Sequence, residues 1–416
     1  MDLDTVTGGY AGRIRGFRRG AKLYLCSSFL SQLCLAAFSV VFNLYLRRLG
    51  YSLTFIGLCA TMNLLGTAFS AIPAGVAGDR YGRKQSLIWA IGLSILSGAG
   101  LIFTAAIPGL VLGFSALKGA ASTLKSTMQS PFLVENSHAE ERVHLFSTAA
   151  AVNTLAGTFG NAYSGFAAVA LAEFMGWQAA GDTRAYAWIL ACSLAFFVAS
   201  AFPVFALDPD PPPVGARRLV NLKQTLAEPV VRQLALHNAM IGGGAGLVLP
   251  LFNNFMELKL AATADQIGVV MSGSRLLLTV ATLLSPLVAA RLGKVRGVVI
   301  TQAVSIPLLL VIAHAPSFPV VAVAFWIRST LMNMSSPIQS TFSMELVHKD
   351  RRATTNGVMT LASNLCRALT ATGAGFLMDK VSLAAPYYGT CLLYTIGSIY
   401  YYRCFRDWEA ARAERT

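Results

Sequence analysis

The chain repeats itself at an offset of about half its length. Ile56-Gly57 recurs as Ile267-Gly268, Asn43 as Asn254, and Arg80-Tyr81-Gly82-Arg83 as Arg291-Leu292-Gly293-Lys294, all shifted by 211 residues. Further along, the shift becomes 210, because Gln129-Ser130 returns as Gln339-Ser340 and Glu135 as Glu345. The sequence therefore predicts two copies of one structural unit.

Each copy is rich in long apolar stretches. Hydrophobic residues make up 55% of the 416 residues and charged residues only 12%, whereas a soluble domain is charged at about a quarter of its positions. A helix of about 20 residues crosses a bilayer, and twelve apolar stretches reach this length. They lie near 22–46, 53–77, 85–106, 109–133, 145–172, 185–207, 231–256, 265–290, 297–315, 318–344, 354–378 and 386–405. We expect an all-α membrane protein with twelve transmembrane helices in two pseudo-symmetric six-helix bundles.

A proline-rich segment separates the two bundles. Asp208-Pro209-Asp210-Pro211-Pro212-Pro213 cannot continue a helix, which predicts a bundle over 1–207, a linker over 208–229 and a second bundle over 230–416. The other loops are too short for a soluble catalytic domain. No intramembrane acid pair, histidine cluster or nucleophile with its base is visible, so we expect no enzyme activity, no cofactor and no metal site.

The positive charges indicate the orientation in the membrane. Of 33 Lys and Arg residues, five fall within spans and only Arg47, Arg48, Arg184, Lys259 and Lys380 lie on the face opposite the termini. Lys and Arg are enriched in cytoplasmic loops, so this pattern predicts a multi-pass protein of the cell membrane with both termini cytosolic. The same loops, facing anionic lipid, explain the net charge of +14 without nucleic acid.

One loop carries a family signature. The segment from Gly75 to Lys84 reads GVAGDRYGRK and resembles, position for position, the GxxxDRxGRK loop of the major facilitator superfamily. Twelve spans, duplicated halves and a central linker are similar to that family throughout the chain. The resemblance implies a transporter that moves a small molecule by alternating access.

The signature also implies a gating role for several residues. By resemblance, Asp79 latches the two halves and holds the outward-open state, close to the start of the eleventh span. Arg80 and Arg83 are expected to pair with acidic loop residues such as Glu135, and Gly75 and Gly82 belong to the same motif. The second copy has Ala290 in place of Asp79, so only the first half can form this latch.

Five basic residues fall inside predicted spans, where each costs roughly 2.5 to 3.5 kcal/mol at a helix centre. They are Lys118, Lys125, Arg275, Arg328 and Arg367. Under the repeat, Lys118 corresponds to Arg328, and all 19 acidic residues fall in tails, loops or span ends. A cavity with cations and no carboxylate favours an anionic substrate. The predicted binding residues are Lys118, Arg328, Arg275, Arg367, Gln339, Asn43 and Asn254.

Several functions fit these features. The first is a secondary transporter for a small organic anion or amphipathic acid, working as a monomer and coupled to protons or to a counter-anion. The second is a proton-coupled multidrug efflux antiporter with an aromatic and Met pocket, formed by Phe42, Phe255, Phe325, Met332 and Met334. Ser115 stands where drug exporters of this family carry an arginine. A lipid or lysolipid flippase and a non-transporting membrane sensor are further alternatives.

Overall fold

The computed structural model describes residues 16–138, 141–177, 182–208, 227–347 and 351–413. These residues form twelve long helices and no strand. The helices are α1 (Arg19–Arg48), α2 (Leu53–Tyr81), α3 (Arg83–Phe103), α4 (Pro108–Glu135), α5 (Arg142–Phe174), α6 (Thr183–Phe205), α7 (Pro229–Leu260), α8 (Ala264–Leu292), α9 (Lys294–His314), α10 (Phe318–Leu346), α11 (Arg352–Lys380) and α12 (Ala385–Ala413). The all-α architecture of twelve helices is confirmed.

Seven of these helices are long and apolar enough to span a membrane on length and composition alone: α1, α2, α3, α6, α7, α8 and α9. Three of the other five, α4, α10 and α11, contain four of the five cations that the sequence predicts within spans, and these cations lower the hydropathy of the helices. Most of the predicted linker, 209–226, lies outside the described residues.

The local signals that begin and end helices are duplicated with the repeat. The Ser52 hydroxyl accepts a hydrogen bond from the Phe55 amide at the start of α2, and Thr263 forms a capping box at the start of α8. Gly82 and Gly293, at the tight turns after α2 and α8, have φ of 86° and 79°. Such positive φ values favour glycine. The two halves therefore share their helix-capping residues and turn glycines as well as their hydrophobic pattern.

The two halves touch along α2 with α11 and along α5 with α8. We call the face where α1 begins and α12 ends the terminal face, and the opposite one the distal face. Near the distal face, a Cβ on Gly57 would collide with the Ala371 carbonyl, and one on Gly268 would lie 2.7 Å from the Asn161 carbonyl oxygen. These two contacts are equivalent under the repeat. We call these contacts between the two halves the distal joint. The joint depends on glycines, because a residue without a side chain lets two backbones approach closely.

A second symmetric pair of glycines completes the distal joint. Gly165 packs on the Ala264 carbonyl and Gly375 on the Leu53 carbonyl, again at repeat-equivalent positions. Asp379 at the end of α11 accepts hydrogen bonds from the first amides of α2, at Leu53 (3.2 Å) and Thr54 (2.8 Å). A carboxylate at a helix N-terminus satisfies amides that have no partner within the helix. The distal ends of the two halves are thus tied together.

The terminal ends of the same helices are apart. The described hydrogen bonds between α2 and α11 reach no further along α2 than Thr61, which bonds to the Ala368 carbonyl. Beyond that point, Phe69 and Ile72 of α2 are 77% and 75% exposed. The described halves therefore form a V that closes at the distal face and opens toward the terminal face.

Adding a methyl group at the glycine joint should loosen the distal closure. We expect Gly57→Ala and Gly268→Ala each to cost about 1–3 kcal/mol, as overpacked contacts generally do, because the colliding atoms are backbone. The measurement is the thermal unfolding midpoint of purified protein. Gly92→Ala is the matched control, since a Cβ there meets nothing within 4 Å. Equal unfolding midpoints for Gly57→Ala and Gly92→Ala would contradict the claim that the two halves need glycine at this contact.

Candidate functional site

A cavity of about 340 Å³ lies between the two halves, on the terminal side of the distal joint. Its volume falls in the range of small-molecule sites. The first half supplies most of the lining, and the second supplies residues of α7 and α11. The lining residues are Phe38, Ser39, Phe42, Asn43, Cys59, Ala60, Asn63, Leu64, Leu101, Ser115, Lys118, Leu249, Pro250 and Arg367.

The floor of the cavity is a break in α7. Residues Leu249–Leu251 form a 3-10 turn between two α-helical segments. Pro250 explains the break, because proline has no amide hydrogen to donate to the preceding turn. The Asn43 side-chain amide of α1 donates to the Pro250 carbonyl at 2.6 Å. A polar side chain of the first half thus bonds to the backbone of the second half at this break.

Two more asparagines join the halves at the same level. The Asn253 amide group donates to the Ser39 and Val40 carbonyls at 2.7 and 3.1 Å, and the Asn254 amide group donates to the Asn43 carbonyl at 3.2 Å. We call Asn43, Asn253 and Asn254 the asparagine clasp. Together with the Arg48–Glu257 ion pair (2.7 Å) above it, the clasp seals the cavity from the distal face.

The cavity carries positive charge from both halves. The Lys118 ammonium of α4 lies 4.4 Å from the Phe38 ring centroid and 5.6 Å from that of Phe42, within range of cation–π attraction. Arg367 of α11 lies on the lining contributed by the second half, and its Nε has no hydrogen-bond partner among the described residues. No carboxylate belongs to the described lining.

Three of the seven predicted binding residues line this cavity: Lys118, Asn43 and Arg367. The other four lie elsewhere. Arg328 is 3% exposed inside the second half, and Gln339 donates to His237 Nδ1 at 3.1 Å. Arg275 packs against Gly157 where α5 meets α8, and Asn254 belongs to the clasp. The predicted pairing of Lys118 with Arg328 in one chamber is therefore replaced by Lys118 with Arg367.

Several lining residues were missing from the predicted site. Phe38 lies one helical turn from Phe42, and Asn63 donates to the Ser115 carbonyl at 3.2 Å. Helical spacing from Asn43 could have suggested Ser39, but the sequence does not reveal how each helix is rotated. Of the residues proposed for an aromatic and Met drug pocket, only Phe42 belongs to the described lining of the cavity. Phe255, Phe325 and Met334 are buried in helices of the second half, and Met332 is partly buried there.

The signature loop forms a charged cluster within the first half. Arg83 contacts Asp79 at 3.0 Å and Glu135 at 3.3 Å, so the expected Arg83–Glu135 pair is present. Arg80 is exposed and lies over the Tyr81 ring without a described ion pair. Gly82 makes the turn described above, and Gly75 has open space around it. No described hydrogen bond or ion pair joins Asp79 to the second half in this conformation.

Removing part of the clasp should open the distal side. Asn253→Ala deletes two hydrogen bonds between the halves, each worth about 0.5–1.5 kcal/mol. We expect the distally open population to rise about tenfold. The readout is labelling of Cys59 by an impermeant maleimide added on the distal side, in a variant whose other cysteines are replaced. Asn333→Ala is the control, because its side chain bonds only within α10; equal labelling of both variants would refute the clasp.

Comparison with known proteins agrees with this architecture. A mutant of the nucleoside transporter NupG superposes with a TM-score of 0.77 at 13% identity, covering 93% of this chain and 100% of that one. A bacterial homologue of the human lysosomal transporter Spinster (TM-score 0.73, 13% identity, coverage 93% and 96%) and a D-xylose-proton symporter (0.70, 15%, 94% and 97%) are also similar. At such identities the likeness shows the fold alone.

The family is established by sequence. No curated protein matches the chain. The family model for the Major Facilitator Superfamily, by contrast, matches residues 24–242 and 234–414, which together span both halves. This protein therefore belongs to the Major Facilitator Superfamily of membrane transporters.

Proposed function

We propose that the protein is a secondary transporter for a small organic anion, which binds between Lys118 and Arg367. The observation that carries the proposal is that cations from both halves line one cavity whose described lining has no carboxylate. A cation removed from water loses much of its hydration, and an anionic ligand offsets that loss. An uncharged or cationic ligand offers no such compensation.

The lining also suggests the shape of the substrate. Phe38 and Phe42 form an apolar wall beneath the Lys118 ammonium, while Ser39, Asn43 and Asn63 supply polar groups on the same side. An acid with a compact apolar body fits such a surface, since sites of this kind combine apolar walls with a few polar anchors. This composition favours an amphipathic acid over a bulky lipophilic drug.

Orientation and coupling are part of the proposal. The excess of Lys and Arg on the terminal face makes that face cytosolic, so the V is open inward and the clasp closes the extracellular side. Alternating access then requires the halves to rock until the signature loop meets α11. Exchange of one anion for another needs only the basic residues of the cavity, so we favour anion exchange as the coupling mode.

The test is uptake into proteoliposomes that contain the purified protein. A panel of labelled organic anions is compared with uncharged analogues of the same size. We expect uptake of anions only, with an about 10- to 100-fold rise in KM for Lys118→Gln or Arg367→Gln, because a charge-assisted hydrogen bond contributes about 1.5–3 kcal/mol. Arg296→Gln removes an exposed charge away from the cavity and serves as control. Equal uptake of uncharged analogues, unaffected by either cavity variant, would refute the proposal.

The latch proposal makes a separate prediction. Among the described residues, Asp79 forms an ion pair with Arg83 of its own half, and exposed ion pairs contribute at most about 1 kcal/mol. Asp79→Asn should therefore leave the thermal unfolding midpoint of the inward-open protein nearly unchanged while it lowers the transport rate. Glu345→Gln, at the repeat-equivalent position of Glu135 near the end of α10, tests whether loss of any carboxylate at the terminal face has this effect. Transport by Asp79→Asn at the wild-type rate would refute the latch.

A further inference from the structure

A buried cluster in the second half holds a positive charge for which the described residues provide no counter-charge. Arg328 of α10 is 3% exposed and does not line the central cavity. It belongs to none of the described ion pairs, and the two acidic residues at the distal ends of α7 and α11 are engaged elsewhere, Glu257 with Arg48 and Asp379 with α2. An unpaired charge at this depth costs several kcal/mol.

The neighbours of Arg328 cannot neutralise it. The guanidinium lies 5.5 Å from the Phe325 ring centroid, and Tyr394 of α12 lies within electrostatic reach of it. Tyr387, one heptad earlier on α12, lies within electrostatic reach of Arg328 and is 0% exposed. Aromatic rings and phenol groups lower the free-energy cost of burying the guanidinium, but they carry no negative charge.

Two polar atoms of this cluster have no hydrogen-bond partner among the described residues. They are Arg328 Nε and Tyr387 Oη, both buried. A guanidinium nitrogen is a donor only, and a phenol can donate as well. An acceptor with negative charge would satisfy both atoms and the guanidinium charge together. A neutral acceptor could bond to both atoms but could not offset the charge of the guanidinium.

We propose that Arg328, Tyr387 and Tyr394 form a binding site for a small anion, separate from the central cavity. The near-complete burial of all three side chains restricts the ligand to the size of chloride or of a single carboxylate group. Tyr394 lies within electrostatic reach of both Arg328 and Arg367, so the site is electrostatically linked to the cation that faces the cavity. The ligand offsets the charge of Arg328, and its presence lowers the positive potential at Arg367. This site does not depend on the central cavity transporting anions.

The experiment measures thermal unfolding of the purified full-length protein in sodium chloride, sodium acetate and sodium gluconate at equal ionic strength. A ligand that binds only the folded state raises the midpoint in a saturable way. We expect chloride to raise the midpoint above that in gluconate, which is too large to enter. Tyr387→Phe removes a single buried hydroxyl and should weaken the chloride response about tenfold, and Arg328→Gln should abolish it.

Two further variants keep the test decisive. Tyr24→Phe alters an equally buried tyrosine of the first half and should respond to chloride as the wild type does. Arg328→Lys keeps the charge and should keep part of the response if Arg328→Gln does not fold, as judged by size-exclusion chromatography. A response to acetate alone that is lost in Tyr387→Phe would assign the site to a carboxylate. No stabilisation of wild type by either anion, or identical responses of Tyr387→Phe and Tyr24→Phe, would overturn the proposal.

Discussion

Close contact between backbone atoms of the two halves sets the geometry of this protein. Gly57, Gly165, Gly268 and Gly375 each lie against a carbonyl of the opposite half, and they form two pairs that the internal repeat relates. Because these contacts are between backbone atoms, the distal ends of α2, α5, α8 and α11 form a tightly packed joint in this conformation. The position of the cavity and the direction in which it opens both follow from this joint.

The joint brings unlike surfaces of the two halves together. The first half contributes continuous helices with aromatic side chains and Lys118, whereas the second contributes the interrupted α7 and Arg367. At the break in α7, the Asn43 amide group of α1 donates to the Pro250 carbonyl, while Asn253 of α7 donates to carbonyls of α1. The same elements therefore close the distal side and form the floor of the site. In the alternating access that we propose, movement of the halves would therefore alter closure and binding together.

The sequence predicted the twelve helices, their duplication, the presence of the five cations within helices and the Arg83–Glu135 pair, because periodicity, composition and motif spacing report directly on these features. It did not predict which cations share the cavity. Lys118 and Arg328 are equivalent under the repeat, yet Phe38, beside Lys118, corresponds to Leu249 at the α7 break. One interrupted helix turns the neighbourhood of Arg328 into an enclosed cluster. Arg367 was one of the four cations predicted for the site, but only the packing between helices shows that it lines the cavity with Lys118 and that Arg328 does not.

The central claim is that one anion contacts a cation from each half. The most direct measurement is a double-mutant cycle on binding of the transported anion, by calorimetry, with Lys118→Gln, Arg367→Gln and the double variant. The account predicts that each single change weakens binding about tenfold or more. It also predicts that their effects are non-additive by at least about 0.5 kcal/mol, as for residues that share a ligand. An affinity that neither single change alters would contradict it.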